Sequence, residues 1–151
     1  MLRGRFGDTS KRPYLEGRLY IPRLSLWSDI SFLVDTGADS TVLMPADGIK
    51  MGIDYGSLTR SNIPAVGIGG QSFNYTEEAW AVFSDPDRAL YCYYLDLDIL
   101  NPIPELMDAP SLLGRVVLNR WVMHYSLTDG SLTFDVVTAD RTIPLPLSGE
   151  T

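Results

Sequence analysis

Phe32-Leu33-Val34-Asp35-Thr36-Gly37-Ala38-Asp39-Ser40-Thr41 is the stretch from which the fold is legible. Three apolar residues run into an acid, and the Thr-Gly behind it stops the run in a tight loop. The pattern predicts a buried strand with Asp35 at its end. An ionised carboxylate in that position is costly unless it is hydrogen-bonded or shares its proton. Asp35 is therefore a candidate for chemistry.

Upstream of this stretch, apolar residues from Tyr14 to Leu24 are interleaved with polar ones, which suits a strand. Ser28-Asp29 is the expected turn, with Ile30 to Val34 as the returning arm of a hairpin. Downstream, Val42-Leu43-Met44 is a short apolar run. Pro45-Ala46-Asp47 is suited to open a brief helix, kept short by Gly48, Gly52 and Gly56. The β-like arms Ser61 to Val66 and Gln71 to Val82 flank Gly67-Ile68-Gly69-Gly70, the pattern of a hairpin with a glycine tip. Ser84-Asp85-Pro86-Asp87 reads as a turn and Leu90 to Leu97 as an aromatic strand. Asn101-Pro102-Ile103-Pro104 breaks regular structure.

Ser111-Leu112-Leu113-Gly114 is apolar and turns at its glycine into one short helix near Val117 and Leu118. Trp121 to Leu127 and Ser131 to Val137 flank Thr128-Asp129-Gly130, a strong hairpin signal. Beyond Thr138 the tail, with Pro144 and Pro146, reads as extended. Many short strands, glycine and proline turns and one or two short helices predict an all-β, barrel-like single domain. Its expected parts are a basic arm over 1–13, the domain over 14–137 and a tail over 138–151.

The bulk numbers narrow the function. The chain has 151 residues, 45% hydrophobic and 21% charged, enough for one real core and unlike a disordered protein. No apolar run approaches a bilayer span, and the first residues lack a secretory apolar centre, so a cytoplasmic protein without membrane contact is expected. A net charge of −7 argues against a nucleic-acid partner. Arg3, Arg5, Lys11, Arg12, Arg18 and Arg23 crowd the first 23 residues, either as a solvated terminus or as a contact for an acidic surface. Cys92 and His124 are the sole residues of their kinds, which excludes an internal disulfide and any multi-cysteine or histidine-rich metal site. Both lie in apolar, aromatic stretches and read as packing residues. Asp96 and Asp98 fit no calcium loop and read as a solvated strand edge.

Three motifs follow one another along the chain: Val34 to Thr41, the glycine-rich Ala65-Val66-Gly67-Ile68-Gly69-Gly70, and Leu112-Leu113-Gly114-Arg115. On these residues the chain resembles the retropepsin-like aspartic proteases, the single-domain retroviral type. The resemblance implies an aspartic endopeptidase that cuts extended polypeptide segments, with Asp35, Thr36 and Gly37 as catalytic residues. It implies that Ala38, Asp39 and a flap formed by Gly67, Ile68, Gly69 and Gly70 meet the substrate, and that Gly114 and Arg115 brace the acid loop, Arg115 by pairing with Asp39. No metal or organic cofactor is implied, because the nucleophile is water.

This chemistry needs two facing acids, one to take a proton from water and one to polarise the carbonyl. The chain has one Asp-Thr-Gly; Asp47-Gly48 and Asp129-Gly130 lack the middle residue. A homodimer with one Asp35 from each copy follows. The competing readings are a catalytically silent dimerisation or peptide-binding module, a plain Asp-Thr capped turn, and a phosphate loop at Gly67 to Gly70. The last lacks the Lys-Ser/Thr and the helix that such a loop opens. Val116 departs from the polar residue common after Gly-Arg in the family, and some thirty residues follow the helix where viral members end and interleave their termini.

Overall fold

A computed structural model of the chain describes residues 1–59 and 74–146. Along the chain run β1 (Leu2–Arg3), β2 (Arg5–Phe6), β3 (Pro13–Ile21), β4 (Leu26–Val34), β5 (Val42–Leu43), α1 (Pro45–Met51), β6 (Asn74–Asp85), β7 (Ala89–Leu100), β8 (Leu112–Leu113), α2 (Arg115–Leu118), β9 (Trp121–Ser126), β10 (Ser131–Val136) and β11 (Arg141–Pro144). Six strands close on themselves: β7 pairs β5, β5 pairs β8, β8 pairs β4, β4 pairs β3, β3 pairs β6, and β6 returns to β7. β2 and β11 extend this barrel from β3 and β7.

Alternation along the strands fills the barrel, as the two-residue side-chain period requires. β4 turns Ile30, Phe32 and Val34 inward, and β6 turns in Tyr75, Ala79, Ala81 and Phe83. Two acids share that inward face of β6. Glu77 accepts from the guanidinium of Arg23, and Asp85 accepts from the amine of Met1, so neither is left unpaired. On the outside Trp27, Tyr20, Trp80 and Tyr94 occupy facing register positions on four successive strands. Such cross-strand aromatic neighbours pin register.

A second sheet, β1–β10–β9, closes one end of the barrel. Trp121, the first residue of β9, joins the two. Its ring meets Phe83, Tyr93 and Phe134 at centroid separations of 5.0, 5.7 and 5.3 Å. Its indole N–H donates to the Tyr93 hydroxyl at 2.6 Å, and that hydroxyl donates to the Thr138 carbonyl at 2.9 Å. The polar atoms of both aromatics are thus satisfied inside the core.

The hairpins of β3 with β4 and of β9 with β10, the proline-led helix and the break at Asn101 to Pro104 are present, while the first arm and tip of the expected glycine-tipped hairpin lie outside the described residues; three expectations are corrected. Ser28 and Asp29 form no turn but lie within β4, where Asp29 accepts from Arg18 directly opposite at 2.9 Å. A cross-strand ion pair makes an acid comfortable in a strand; the chain turns instead at Pro22 to Leu24, with Ser25 left-handed at φ 53°. Residues 1–13 are not simply a solvated arm. Leu2 is buried, β1 pairs β10 and β2 pairs β3, because apolar Leu2 and Phe6 alternate with the arginines. Asp98 does not lie on a solvated edge, since β7 is flanked by β6 on one side and by β5 and β11 on the other. No helix among the described residues is long and apolar enough to cross a membrane.

Candidate active site

Asp35 is the first residue past β4. β8 lies between β4 and β5, the two strands that the loop 35–41 connects. The loop therefore passes over the end of β8 and rests on the turn into α2. Leu33 N–H donates to the Ser111 carbonyl at 2.8 Å, and Asp35 N–H to that of Leu113 at 3.0 Å. The strand that ends in the acid is thus held by backbone up to the acid itself.

The loop turns tightly on its own atoms. Gly37 N–H donates to Asp35 Oδ1 at 2.9 Å, and Ala38 N–H donates to the Asp35 carbonyl at 3.2 Å. A Cβ at Gly37 would stand 3.2 Å from Oδ1, a close approach that glycine permits. Asp35 is half-buried, and Thr36 and Gly37 are exposed. Among the described residues one amide, that of Gly37, fixes the direction of this half-buried carboxylate.

From the other side α2 supports the loop. Arg115 N–H donates to the Ala38 carbonyl at 2.8 Å and Val116 N–H to that of Asp39 at 3.0 Å. The Arg115 guanidinium donates to the Thr36 carbonyl at 2.9 Å and also to the Asp39 carboxylate. Asp35, Thr36, Gly37, Ala38, Asp39, Gly114 and Arg115, far apart in sequence, thus meet in one loop and its support. Val116 exposes its side chain and takes part only through its backbone. Gly67, Ile68, Gly69 and Gly70 lie outside the described residues.

Two members of this neighbourhood escaped the sequence reading. Ser40 Oγ donates to Asp98 Oδ2 at 2.5 Å, and Asp98 N–H donates to the Thr41 carbonyl at 3.1 Å, tying the loop's far end to β7. Ser111 Oγ accepts from Met44 N–H at 2.9 Å and donates to Asp47 at 2.6 Å, tying β5 and α1 to the start of β8. An acid alternating with apolar residues in β7 resembles any solvent-facing strand residue, so only the pairing of β5 with β7 reveals the first contact.

Cys92 and His124 do not meet. Cys92 is buried on β7, where burial pushes its thiol up against a weaker opposing effect of Arg141. His124 is exposed on β9, 2.8 Å from Asp135, so it is no packing residue. Among the described residues no cluster of three or more His, Cys, Asp or Glu is placed to hold a metal ion.

No family model matches the chain, and no curated protein matches it in sequence. Solved structures do. A retropepsin-like aspartic protease from Rickettsia conorii superposes with a TM-score of 0.58 at 18% identity, over 96% of this chain and 92% of that one. EIAV protease, solved with the inhibitor HBY-793, has a TM-score of 0.48 at 18% identity over 75% of this chain and 90% of its own. The first likeness is one of fold across nearly the whole of both chains, and it establishes a retropepsin-like fold here.

Proposed function

We propose that this chain, with its retropepsin-like fold, is an aspartic endopeptidase that acts as a symmetric homodimer with Asp35 contributed by each copy. The observation that carries the proposal is the Asp35 loop itself: one Asp-Thr-Gly, half-buried, aimed by the Gly37 amide and braced by Arg115 from α2. A scaffold has no use for an acid held in this way at the surface of the protomer.

In the dimer the two carboxyls face each other and share one proton, since both cannot ionise at close range. The ionised acid takes a proton from water as the water attacks the scissile carbonyl. The protonated acid donates to the carbonyl oxygen as it becomes the tetrahedral oxyanion. Collapse of that intermediate breaks the C–N bond, the proton passing to the leaving amine. Thr36 ties the two loops across the dimer axis. Asp39 and Ala38 meet the backbone of an extended peptide, while Gly67 to Gly70 supply the flap that adds β-type hydrogen bonds and excludes water. No cofactor takes part.

Wild-type and Asp35→Asn proteins assayed on a peptide library between acidic and neutral pH test this directly. Cleavage by the wild type that Asp35→Asn abolishes is the expected result. Equal activity, or peptide binding without cleavage by an established wild-type dimer, would overturn it in favour of a silent peptide-binding module.

A further inference from the structure

We infer that the outer face of the barrel is a docking surface for a basic partner polypeptide, with Glu78, Trp80, Tyr94 and Asp96 receiving an arginine side chain of that partner. The inference stands apart from the peptidase reading, since these residues belong neither to the acid loop nor to its support.

The face carries one pattern three times. An aromatic residue and an acid stand two positions apart in Trp27-Ser28-Asp29 on β4, in Glu78-Ala79-Trp80 on β6 and in Tyr94-Leu95-Asp96 on β7. Residues two apart in a strand share a face. The register then brings the aromatic members into one row, Trp27 opposite Tyr20, Tyr20 opposite Trp80 and Trp80 opposite Tyr94. Trp27 is 56% exposed and Tyr94 47%, so neither ring serves the core. Exposed tryptophan and tyrosine grouped in this way mark an interaction surface.

On β4 the chain itself shows what such a pair receives. The Arg18 guanidinium stands 4.2 Å from the centroid of the Trp27 ring and donates to Asp29 at 2.9 Å. One stacked guanidinium thereby satisfies ring and acid together. On β6 and β7 the same groups recur at closer quarters. The Trp80 and Tyr94 rings are 5.2 Å apart, and Glu78 and Asp96 face each other in the register. Hydrogen bonding with Glu78 pushes the Tyr94 phenol up, and Asp96 adds to the effect. Both acids are exposed, and among the described residues neither takes part in an ion pair. Like charges directly opposite in a sheet repel, so a cation set between them is bound favourably.

Beside these groups lies a groove of about 540 Å³, whose lining includes Pro22, Glu78, Tyr94, Asp96 and the Arg23–Glu77 ion pair. Arg23 is committed there to Glu77 and to the Ser57 carbonyl, which leaves Glu78 and Asp96 to set the sign of the groove. Charge complementarity thus selects a basic segment, and the adjoining rings select arginine over lysine within it.

The test uses the full chain and a fluorescent peptide of five Arg-Gly repeats. The wild type should bind it in a polarisation assay, and Glu78→Gln/Asp96→Asn should weaken binding at least about tenfold. Asp108→Asn/Asp129→Asn removes the same net charge from exposed acids elsewhere and should leave binding unchanged. A peptide of Lys-Gly repeats should bind several-fold more weakly. The Glu78→Gln/Asp96→Asn protein should melt no lower than the wild type, because two facing like charges are gone. In proton–nitrogen correlation spectra of the wild type the Trp80 indole signal should shift on titration while that of buried Trp121 stays, a readout that needs no variant. No binding by the wild type, an equal loss from the Asp108→Asn/Asp129→Asn control, equal affinity for the lysine repeats, or an unmoved Trp80 signal overturns the inference. Self-association of the free chain that Glu78→Gln/Asp96→Asn abolishes, without peptide binding, gives the face to a second copy and overturns it as well.

Discussion

A Cβ added to Gly114 would stand 2.1 Å from the carbonyl oxygen of Ser40 and 2.8 Å from that of Ala38. Both atoms are backbone of the acid loop, so neither swings aside as a side chain would. Gly114→Ala is expected to destabilise the protein by about 3 kcal/mol and to displace the loop, with peptidase activity lost. Urea unfolding and a peptide assay on the same preparation check both halves. Unaltered activity would mean that loop and turn are not held together as described.

Arg115 should separate stability from function. Its ion pair with Asp39 is largely exposed, so Arg115→Ala is expected to cost less than about 1 kcal/mol. The same change frees the Thr36 carbonyl and should lower kcat by about tenfold to a hundredfold through misplacement of the acid. Lysine cannot span both acceptors as the planar guanidinium does, so Arg115→Lys should rescue little. Steady-state kinetics beside a melting curve distinguish this from general unfolding.

Glu77 predicts how stability responds to acid. Hydrogen bonding from Arg23 holds its carboxyl below the usual range against the opposing effect of burial, helped by the Thr59 amide. A group whose pKa is lower folded than unfolded stabilises above the unfolded pKa, and that contribution is lost as pH falls through the folded one. Glu77→Gln should therefore melt several degrees lower at neutral pH, and the gap should close as pH falls below the ordinary glutamate range. A gap that stayed constant with pH would remove the ion pair from the explanation.

Trp121 offers a graded test of the joint between barrel and end sheet. Trp121→Phe keeps most of the ring contacts and loses the hydrogen bond to Tyr93, an expected cost of about 1 kcal/mol. Trp121→Ala also empties the space among Phe83, Tyr93 and Phe134, an expected cost of about 3–5 kcal/mol. Denaturant titrations of both variants give the ratio.

How far the fold could be read ahead depended on the range of the signals. Asp-Thr-Gly after an apolar run, Pro45 at a helix start and Thr128-Asp129-Gly130 are local patterns with local causes, and the structure realises each as a loop, a helix and a hairpin. Ser28-Asp29 misled because turn chemistry and a cross-strand ion pair use the same residue types, and only the partner Arg18 decides between them. The burial of Leu2 depends on a strand more than a hundred residues away, which no local window contains. In the site, Asp35, Gly114 and Arg115 were legible as motifs. The contact of Asp98 with Ser40 was not, since it arises from the parallel pairing of β5 with β7.

The place of β8 between β4 and β5 also sets an order of events in synthesis. The loop that holds Asp35 spans two strands that are not hydrogen-bonded to each other, and the segment that fills the gap is residues 112–113. Until that segment has left the ribosome, the loop has neither the Leu113 carbonyl beneath Asp35 nor the α2 amides beneath Ala38 and Asp39. A nascent chain can form the β3–β4 hairpin early, but its acid then stands on an unfinished support. Contacts of such long sequence separation form slowly. The chain is thus expected to complete the support of its acid loop only after most of it has been made.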